Sequence, residues 1–212
     1  IGRLNYKEAV EVFHEQIEGL KEGGVDLIWG ETISDPAEYK AISEAASLAK
    51  IRWFGTMSFD TKGNTMMGCT PVNLVSLIEQ LPFKPMAAGA NCGVGPADLI
   101  RSVIDMKGAL FPLIAKANAG IPEFSDGEIH YSGTPSLMAE YAVLARRAGA
   151  KIIGGCCGTS AKHVEGMKTA LSMSRENSDL SLEEIQAKLG KFSGVPGARK
   201  RRKRISKNQK SK

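Results

Sequence analysis

The chain has 212 residues, 42% of them hydrophobic, enough to bury a sizeable core as one domain. No apolar stretch approaches the length of a membrane span, and no charged-then-apolar leader opens the chain, so a cytoplasmic location is expected. The net charge of +5 is misleading. Residues 199–212 hold nine Lys/Arg and no acid, and taking them from the 28 basic residues leaves 19 against 23 acidic ones. The body is therefore slightly acidic and the basic excess is a tail, read as a solvated, disordered terminus without aromatics to stack on bases.

Along the chain, helix and strand signals alternate. Residues 5–22 place Ala9, Val10, Phe13, Ile17 and Leu20 on one helical face, stopped by Gly23-Gly24. A strand over 25–29, a helix over 36–50 and a strand over 52–58 follow. Residues 71–81 predict a helix with Pro71 in its first turn, 86–90 a strand and 96–107 a helix. Then come a strand over 111–117, a helix over 135–148, a strand over 151–153 and a helix over 161–174. Residues 182–189 predict a short terminal helix, and Ser193 to Gly197 a linker. The expected organisation is a barrel domain over 1–175, a terminal helix and linker over 176–198, and the basic tail over 199–212.

Alternating strands and helices imply a parallel sheet, and short continuous apolar strands fit a sheet covered on both faces. Five strands suit an open doubly wound sheet. They also suit a (β/α)8 barrel with its first three βα units missing, since a complete barrel needs eight strands and about 250 residues. No Gly-x-Gly-x-x-Gly run or P-loop is present.

Cysteine placement carries the chemistry. Cys92 stands in Gly89-Ala90-Asn91-Cys92-Gly93, and Cys156 and Cys157 stand in Gly154-Gly155-Cys156-Cys157-Gly158-Thr159. Both runs follow an apolar strand and precede a helix, where α/β proteins place their sites. Adjacent strand residues point to opposite faces, so both sulfurs of the pair reach one site only from a turn beyond the strand. Three thiolates on one Zn²⁺ leave a fourth tetrahedral position open, the catalytic arrangement. The competing reading is inert buried cysteines. A structural zinc site would show Cys-x-x-Cys pairs, and a disulfide between neighbours is strained. Cys69 reads as a small loop or core residue. The other strand ends are also polar: Glu31-Thr32, Ser58-Phe59-Asp60 and Asn118-Ala119-Gly120. In a barrel all five ends would surround one mouth.

Gly-Ala-Asn91-Cys92-Gly followed 64 residues later by Gly-Gly-Cys156-Cys157-Gly-Thr resembles the homocysteine S-methyltransferase family of zinc-dependent (β/α)8 barrels. The resemblance covers about residues 5–175, with Leu27 to Thr32 and Lys116 to Pro122 in register. Gly55 to Asp60 and the basic tail look most like bacterial betaine–homocysteine methyltransferases. The amino-terminal third of such a barrel is missing from this sequence.

The resemblance implies Cys92, Cys156 and Cys157 as Zn²⁺ ligands, and Glu31 as the acid that holds the homocysteine amino group. Asn118 is expected with Glu31 as a substrate-binding residue, and the Asn91 and Asn118 amides are read as orienting the site or tying a loop down. His163 is read as a surface residue rather than a ligand. The implied partners are homocysteine and a methyl donor, with methionine as product. A homocysteine thiol is largely protonated at neutral pH and becomes a nucleophile as the thiolate. Metal binding makes that thiolate available, and catalysis is then largely the positioning of two substrates.

For the donor, betaine calls for aromatic faces, and Trp29, Trp53, Phe59 and Tyr131 are available. The animal betaine enzymes carry Tyr after the matching Glu. Here it is Thr32, as in domains that work with methylcobalamin or methylfolate; S-methylmethionine is a further alternative. The chain's 14-residue tail cannot replace the extra domains of those larger enzymes, which favours betaine. The rival from another class is a non-catalytic scaffold binding nucleic acid through its tail, with affinity falling steeply in salt. Neither nucleic acid nor membrane is an expected partner.

Overall fold

The computed structural model describes residues 4–60, 62–125, 127–175 and 178–193. Helix α1 (Tyr6–Glu22) precedes β1 (Ile28–Ile33), α2 (Pro36–Leu48), β2 (Trp53–Met57), α3 (Pro71–Gln80), β3 (Ala87–Cys92) and α4 (Pro96–Asp105). Then come β4 (Leu113–Ala117), a hairpin of β5 (Pro122–Ser125) and β6 (Glu128–Tyr131), α5 (Pro135–Arg147), β7 (Ala150–Gly155), α6 (Ala161–Met173) and α7 (Leu182–Leu189). The five long strands pair in parallel in the order β1-β2-β3-β4-β7. Five successive βα units of the (β/α)8 barrel are thus present, as expected. The expected linker from 194 onward and the basic tail lie outside the described residues.

Local chemistry explains where the helices start. Helices α2, α3, α4 and α5 each start on a proline, at Pro36, Pro71, Pro96 and Pro135. Proline's missing N–H and fixed φ suit the first helical position. Asp35, Thr70 and Thr134 cap three of these helices through their side chains. Asn5 and Glu8 form a reciprocal capping box at α1.

The two faces of the sheet differ. Gly30 and Gly55 face α2, because a Cβ at Gly30 would meet Ile42 and one at Gly55 would meet Tyr39. Trp53, Met57, Ala88, Ala90, Ala115 and Ala117, alternating on the same side, are buried. The two glycines and four alanines let the helix layer approach closely, and Trp53 packs against Tyr39 at 5.2 Å between ring centroids. The opposite, inner face carries Trp29 and Glu31, Phe54 and Thr56, Gly89 and Asn91, Ile114 and Lys116, Ile152 and Gly154. Trp29 and Phe54 meet edge to face at 5.3 Å, and both are only half-buried.

Three differences from the sequence reading have physical causes. The hairpin β5–β6 lies between the expected strand over 111–117 and helix over 135–148; its strands are four residues each and too short for a periodicity signal. Strand β1 starts at Ile28, not residue 25, because Val25 is exposed beside the Gly23-Gly24 turn. It then continues through polar Glu31 and Thr32, as β3 continues through Asn91 and Cys92. Apolar content alone ends both strands too early.

Helix α7 docks through Arg147, whose guanidinium grips Glu184 with Nη1–Oε1 at 2.5 Å and Nη2–Oε2 at 2.8 Å. Nε and Nη2 also donate to the carbonyls of Ser178 and Asp179. Hydrogen bonding from Arg147 holds the Glu184 carboxyl below the ordinary value, against the opposing cost of burial. A depressed folded-state pKa adds stability above the unfolded value, about 4.3, that is lost as pH falls through the folded one. Hydrogen exchange in α7 should therefore accelerate below about pH 4.3. Glu184→Gln should expose α7 at neutral pH and flatten that acid dependence; an unchanged acid profile would show that α7 docks by other means.

Candidate metal centre

Cys92 closes β3, and Cys156 and Cys157 begin the turn just after β7, where the pair must lie for both sulfurs to share a site. The three Sγ atoms lie within 4.8 Å of one another. Cys92 to Cys157 is 3.9 Å and Cys156 to Cys157 is 4.0 Å. Thiolates at ~2.3 Å from one tetrahedral zinc stand about 3.8 Å apart, so two of the three spacings already suit one ion. No disulfide links them.

The strand ends are bent to achieve this. Cys92 has φ 61° and Thr32 φ 62°, the left-handed region that costs a side chain energy and persists where surroundings enforce it. Asn91 supplies the enforcement. It is fully buried; its Oδ1 accepts from Thr32 N–H at 2.9 Å, and its Nδ2 donates to Thr32 Oγ1 at 2.7 Å and towards Cys156 Sγ at 3.8 Å. One amide therefore ties the end of β1 to the cysteine pair.

Asn118 makes the second tie. Its Oδ1 accepts from Cys157 N–H at 3.1 Å, and its Nδ2 donates to the Gly93 carbonyl at 2.9 Å, linking the loops that carry the three sulfurs. Backbone bonds complete the join: Cys156 N–H to the Ala117 carbonyl at 2.7 Å and Ala119 N–H to the Cys157 carbonyl at 2.9 Å. Of the two roles open to these asparagines, the geometry shows the loop tie.

Burial, then the charges of Cys156 and Cys157 against an opposing hydrogen bond from Asn118, pushes the Cys92 thiol up to about 11. Three crowded thiolates without a cation destabilise one another, and a divalent cation reverses that logic. Size and donor set both fit a soft or borderline metal such as zinc.

Tyr131, one of the four aromatics available to a methyl donor, stands at the end of β6. Its side chain is near the Cys157 sulfur, and burial, then the interaction with that sulfur, raises its pKa. Its ring lies over Gly158, where an added Cβ would come within 2.4 Å of Cγ. Gly158 also has φ 74°, so the turn after the cysteine pair requires glycine for two reasons. The hairpin thus brings an aromatic ring to the sulfurs.

The remaining residues separate clearly. Glu31, on the inner face, is ion-paired with Lys116, whose Nζ stands 4.6 Å from the Trp29 ring centroid. Trp53 and Phe59 are core. Cys69 is buried and tied to Thr65 and Thr70 in its loop, away from the cluster. His163 is outside the cluster too: Nδ1 accepts from Ser160 N–H at 3.0 Å, which leaves Nε2 to donate to the Gly133 carbonyl at 2.9 Å. It caps α6 and is half-buried rather than a free surface group.

The profile of the homocysteine S-methyltransferase family matches residues 1–171. The chain belongs to that family. Among similar proteins, the methionine synthase of Mycobacterium tuberculosis (strain ATCC 25618 / H37Rv) is 26% identical over 207 residues, covering 93% of this chain and 17% of that protein. The methionine synthase of Mycobacterium leprae (strain TN) is 26% identical over 180 residues, covering 81% of this chain and 15% of that one. Crystal structures of the Escherichia coli homocysteine methyltransferase MmuM share the fold. The oxidized form gives a TM-score of 0.61 at 24% identity, covering 76% of this chain and 52% of that one. The metallated form gives 0.60, again at 24% identity, over 76% and 51%. The chain therefore spans about half the length of the E. coli enzyme and less than a fifth of the mycobacterial synthases. Among the described residues, no helix is long and apolar enough to cross a membrane.

Proposed function

We propose that this family member works in the cytoplasm, transferring a methyl group to the thiol of homocysteine to form methionine, with Zn²⁺ held by Cys92, Cys156 and Cys157. The observation that carries the reading is the cluster of three sulfurs at strand ends, spaced for one tetrahedral ion. The name of the E. coli enzyme supports the same substrate, and that of the mycobacterial synthases the same product.

Bound zinc supplies a Lewis acid that keeps a substrate thiol deprotonated at neutral pH. The protein's own residues do the rest. Asn91 and Asn118 hold the ligand loops at fixed separation, so little reorganisation accompanies substrate entry. Asn118 contributes to homocysteine binding through the loop positions it fixes. Glu31 offers a carboxylate, more than a third exposed, to the substrate ammonium.

Betaine is the favoured donor, because the Tyr131 ring beside Cys157 offers a face to a quaternary ammonium next to the nucleophile. Zinc analysis followed by a screen of betaine, S-methylmethionine, methylcobalamin and methylfolate tests the reading. One zinc per chain and methionine from betaine are expected. Absence of zinc would remove the metal mechanism, and methionine from another donor alone would replace betaine.

A further inference from the structure

His163 makes one contact more than helix capping requires. Its Nδ1 accepts from Ser160 N–H at 3.0 Å, which completes the cap of α6 and leaves the ring proton on Nε2. Nε2 donates that proton to the Gly133 carbonyl, 30 residues back in the chain, at 2.9 Å. The second bond does nothing for α6 and acts on Gly133 instead.

Gly133 lies on the exit of the β5–β6 hairpin, just after Tyr131 and Ser132. The hairpin pairs with no strand of the main sheet, and a two-stranded ribbon is marginally stable by itself. Its exit is anchored from outside. Gly133 N–H donates to the Ala119 carbonyl at 2.8 Å, and Ala119 N–H donates to the Cys157 carbonyl at 2.9 Å. Backbone lies directly on backbone here. A Cβ at Gly133 would stand 2.2 Å from the Ala119 carbonyl carbon, and one at Gly120 would stand 2.6 Å from the Gly133 nitrogen. The bonds run from Cys157 through Ala119 and Gly133 to His163, and the chain from His163 back to Cys157 closes the circuit. Tyr131 hangs from that circuit with its ring over Gly158.

We propose that His163 is a positioning residue for the methyl donor: by holding Gly133 it fixes the Tyr131 ring beside Cys157, where a quaternary ammonium comes to rest. This rests on the betaine reading. Without the histidine, the Gly133 carbonyl loses its donor and the hairpin exit keeps only its bond to Ala119 among those described here. The aromatic face then loses its fixed distance from the sulfurs, while the three cysteines keep their own ties through Asn91 and Asn118.

Two substitutions separate this role from capping, because an asparagine amide oxygen falls near the place of Nδ1 and a glutamine amide nitrogen near that of Nε2. His163→Asn keeps the acceptor for Ser160 and loses the bond to Gly133. His163→Gln keeps the donor to Gly133 and loses the cap. In the zinc-loaded protein, His163→Asn should raise the KM for betaine on the order of three- to tenfold, the scale of one neutral hydrogen bond, and leave bound zinc and the KM for homocysteine within about twofold. His163→Gln should recover the wild-type KM for betaine and lose stability to denaturant instead. Adding His163→Asn to Tyr131→Ala should raise that KM no further, since the histidine acts through the tyrosine. A KM for betaine unchanged in His163→Asn, or raised equally in His163→Gln, would reduce His163 to a helix cap. A full further rise on the Tyr131→Ala background would show that it does not act through Tyr131. Each of these overturns the proposal while betaine stands as donor. If the wild-type protein made no methionine from betaine, the donor reading itself would fall, and this inference with it.

Discussion

Replacing Cys156 or Cys157 with Ala is expected to remove bound zinc and reduce methyl transfer to background, whereas Glu31→Ala should keep zinc and mainly weaken homocysteine binding. The contrast follows from what each side chain does. Losing one of three thiolates leaves two ligands, too few to hold the ion firmly or to activate a thiol. Losing Cys156 also takes away the sulfur to which Asn91 Nδ2 points at 3.8 Å. Glu31 stands outside the sulfur cluster and pairs with Lys116, so its removal costs one charge-assisted contact, on the order of 1.5–3 kcal/mol or roughly ten- to a hundredfold in affinity. Cys69→Ala is the control: Cys69 is buried in its own loop, and the variant should keep full zinc. Metal analysis and steady-state kinetics on the four variants decide the matter. Full zinc and full turnover in the Cys156 and Cys157 variants would sink the metal mechanism.

The three sulfurs were legible because a parallel α/β chain writes its mouth in a repeated form: an apolar run, a small or polar residue, and the start of the next helix. Cys92 and the Cys156–Cys157 pair occupy equivalent places in that repeat, so their convergence follows from topology without any distance. The strand order β1-β2-β3-β4-β7 followed for the same reason. Strands β2 and β4 could be read because their interiors are apolar. Strands β1 and β3 were cut short because their last residues, Glu31, Thr32, Asn91 and Cys92, are strand residues in hydrogen bonding and site residues in chemistry.

Pairings across the sheet were not legible. Nothing in the sequence says that Asn91 reaches Thr32, 59 residues away, or that Lys116 reaches Glu31, 85 residues away. Those contacts depend on register, which is set by the packing of the outer face against the helices rather than by the residues that use it. Tyr131 was hidden more deeply. Its hairpin has two four-residue strands, and the sign of its role is Gly158, a glycine that also reads as ordinary turn chemistry. The aromatic candidates divided along the same line. Trp53 and Phe59 went to the outer core, while Trp29 and Tyr131 face the inner side of the sheet and the cysteine pair.

Gly89→Ala should be among the most damaging single substitutions in the chain, although it adds one methyl group. Gly89 lies in β3, the middle strand of five, between Thr56 on β2 and Ile114 on β4. A Cβ there would stand 2.0 Å from the Ile114 carbonyl oxygen and 2.7 Å from its nitrogen. Both are backbone atoms of the neighbouring strand, so no rotamer change makes room and β3 and β4 must part. Parting them displaces Asn91 and Cys92, two and three residues further on, and with them the ties to Thr32 and the sulfur cluster. A cost of about 4 kcal/mol or more is expected, enough to unfold a domain of ordinary stability. Gly19→Ala is the internal comparison. Gly19 sits within α1 with nothing within 4 Å of an added Cβ, and there alanine should stabilise by about 0.5–1 kcal/mol. Denaturant unfolding of both variants, with zinc content measured on the folded fraction, checks the pair. If Gly89→Ala folded with full zinc and near-native stability, the close contact between β3 and β4 would not be as described, and neither would the placement of Cys92 that depends on it.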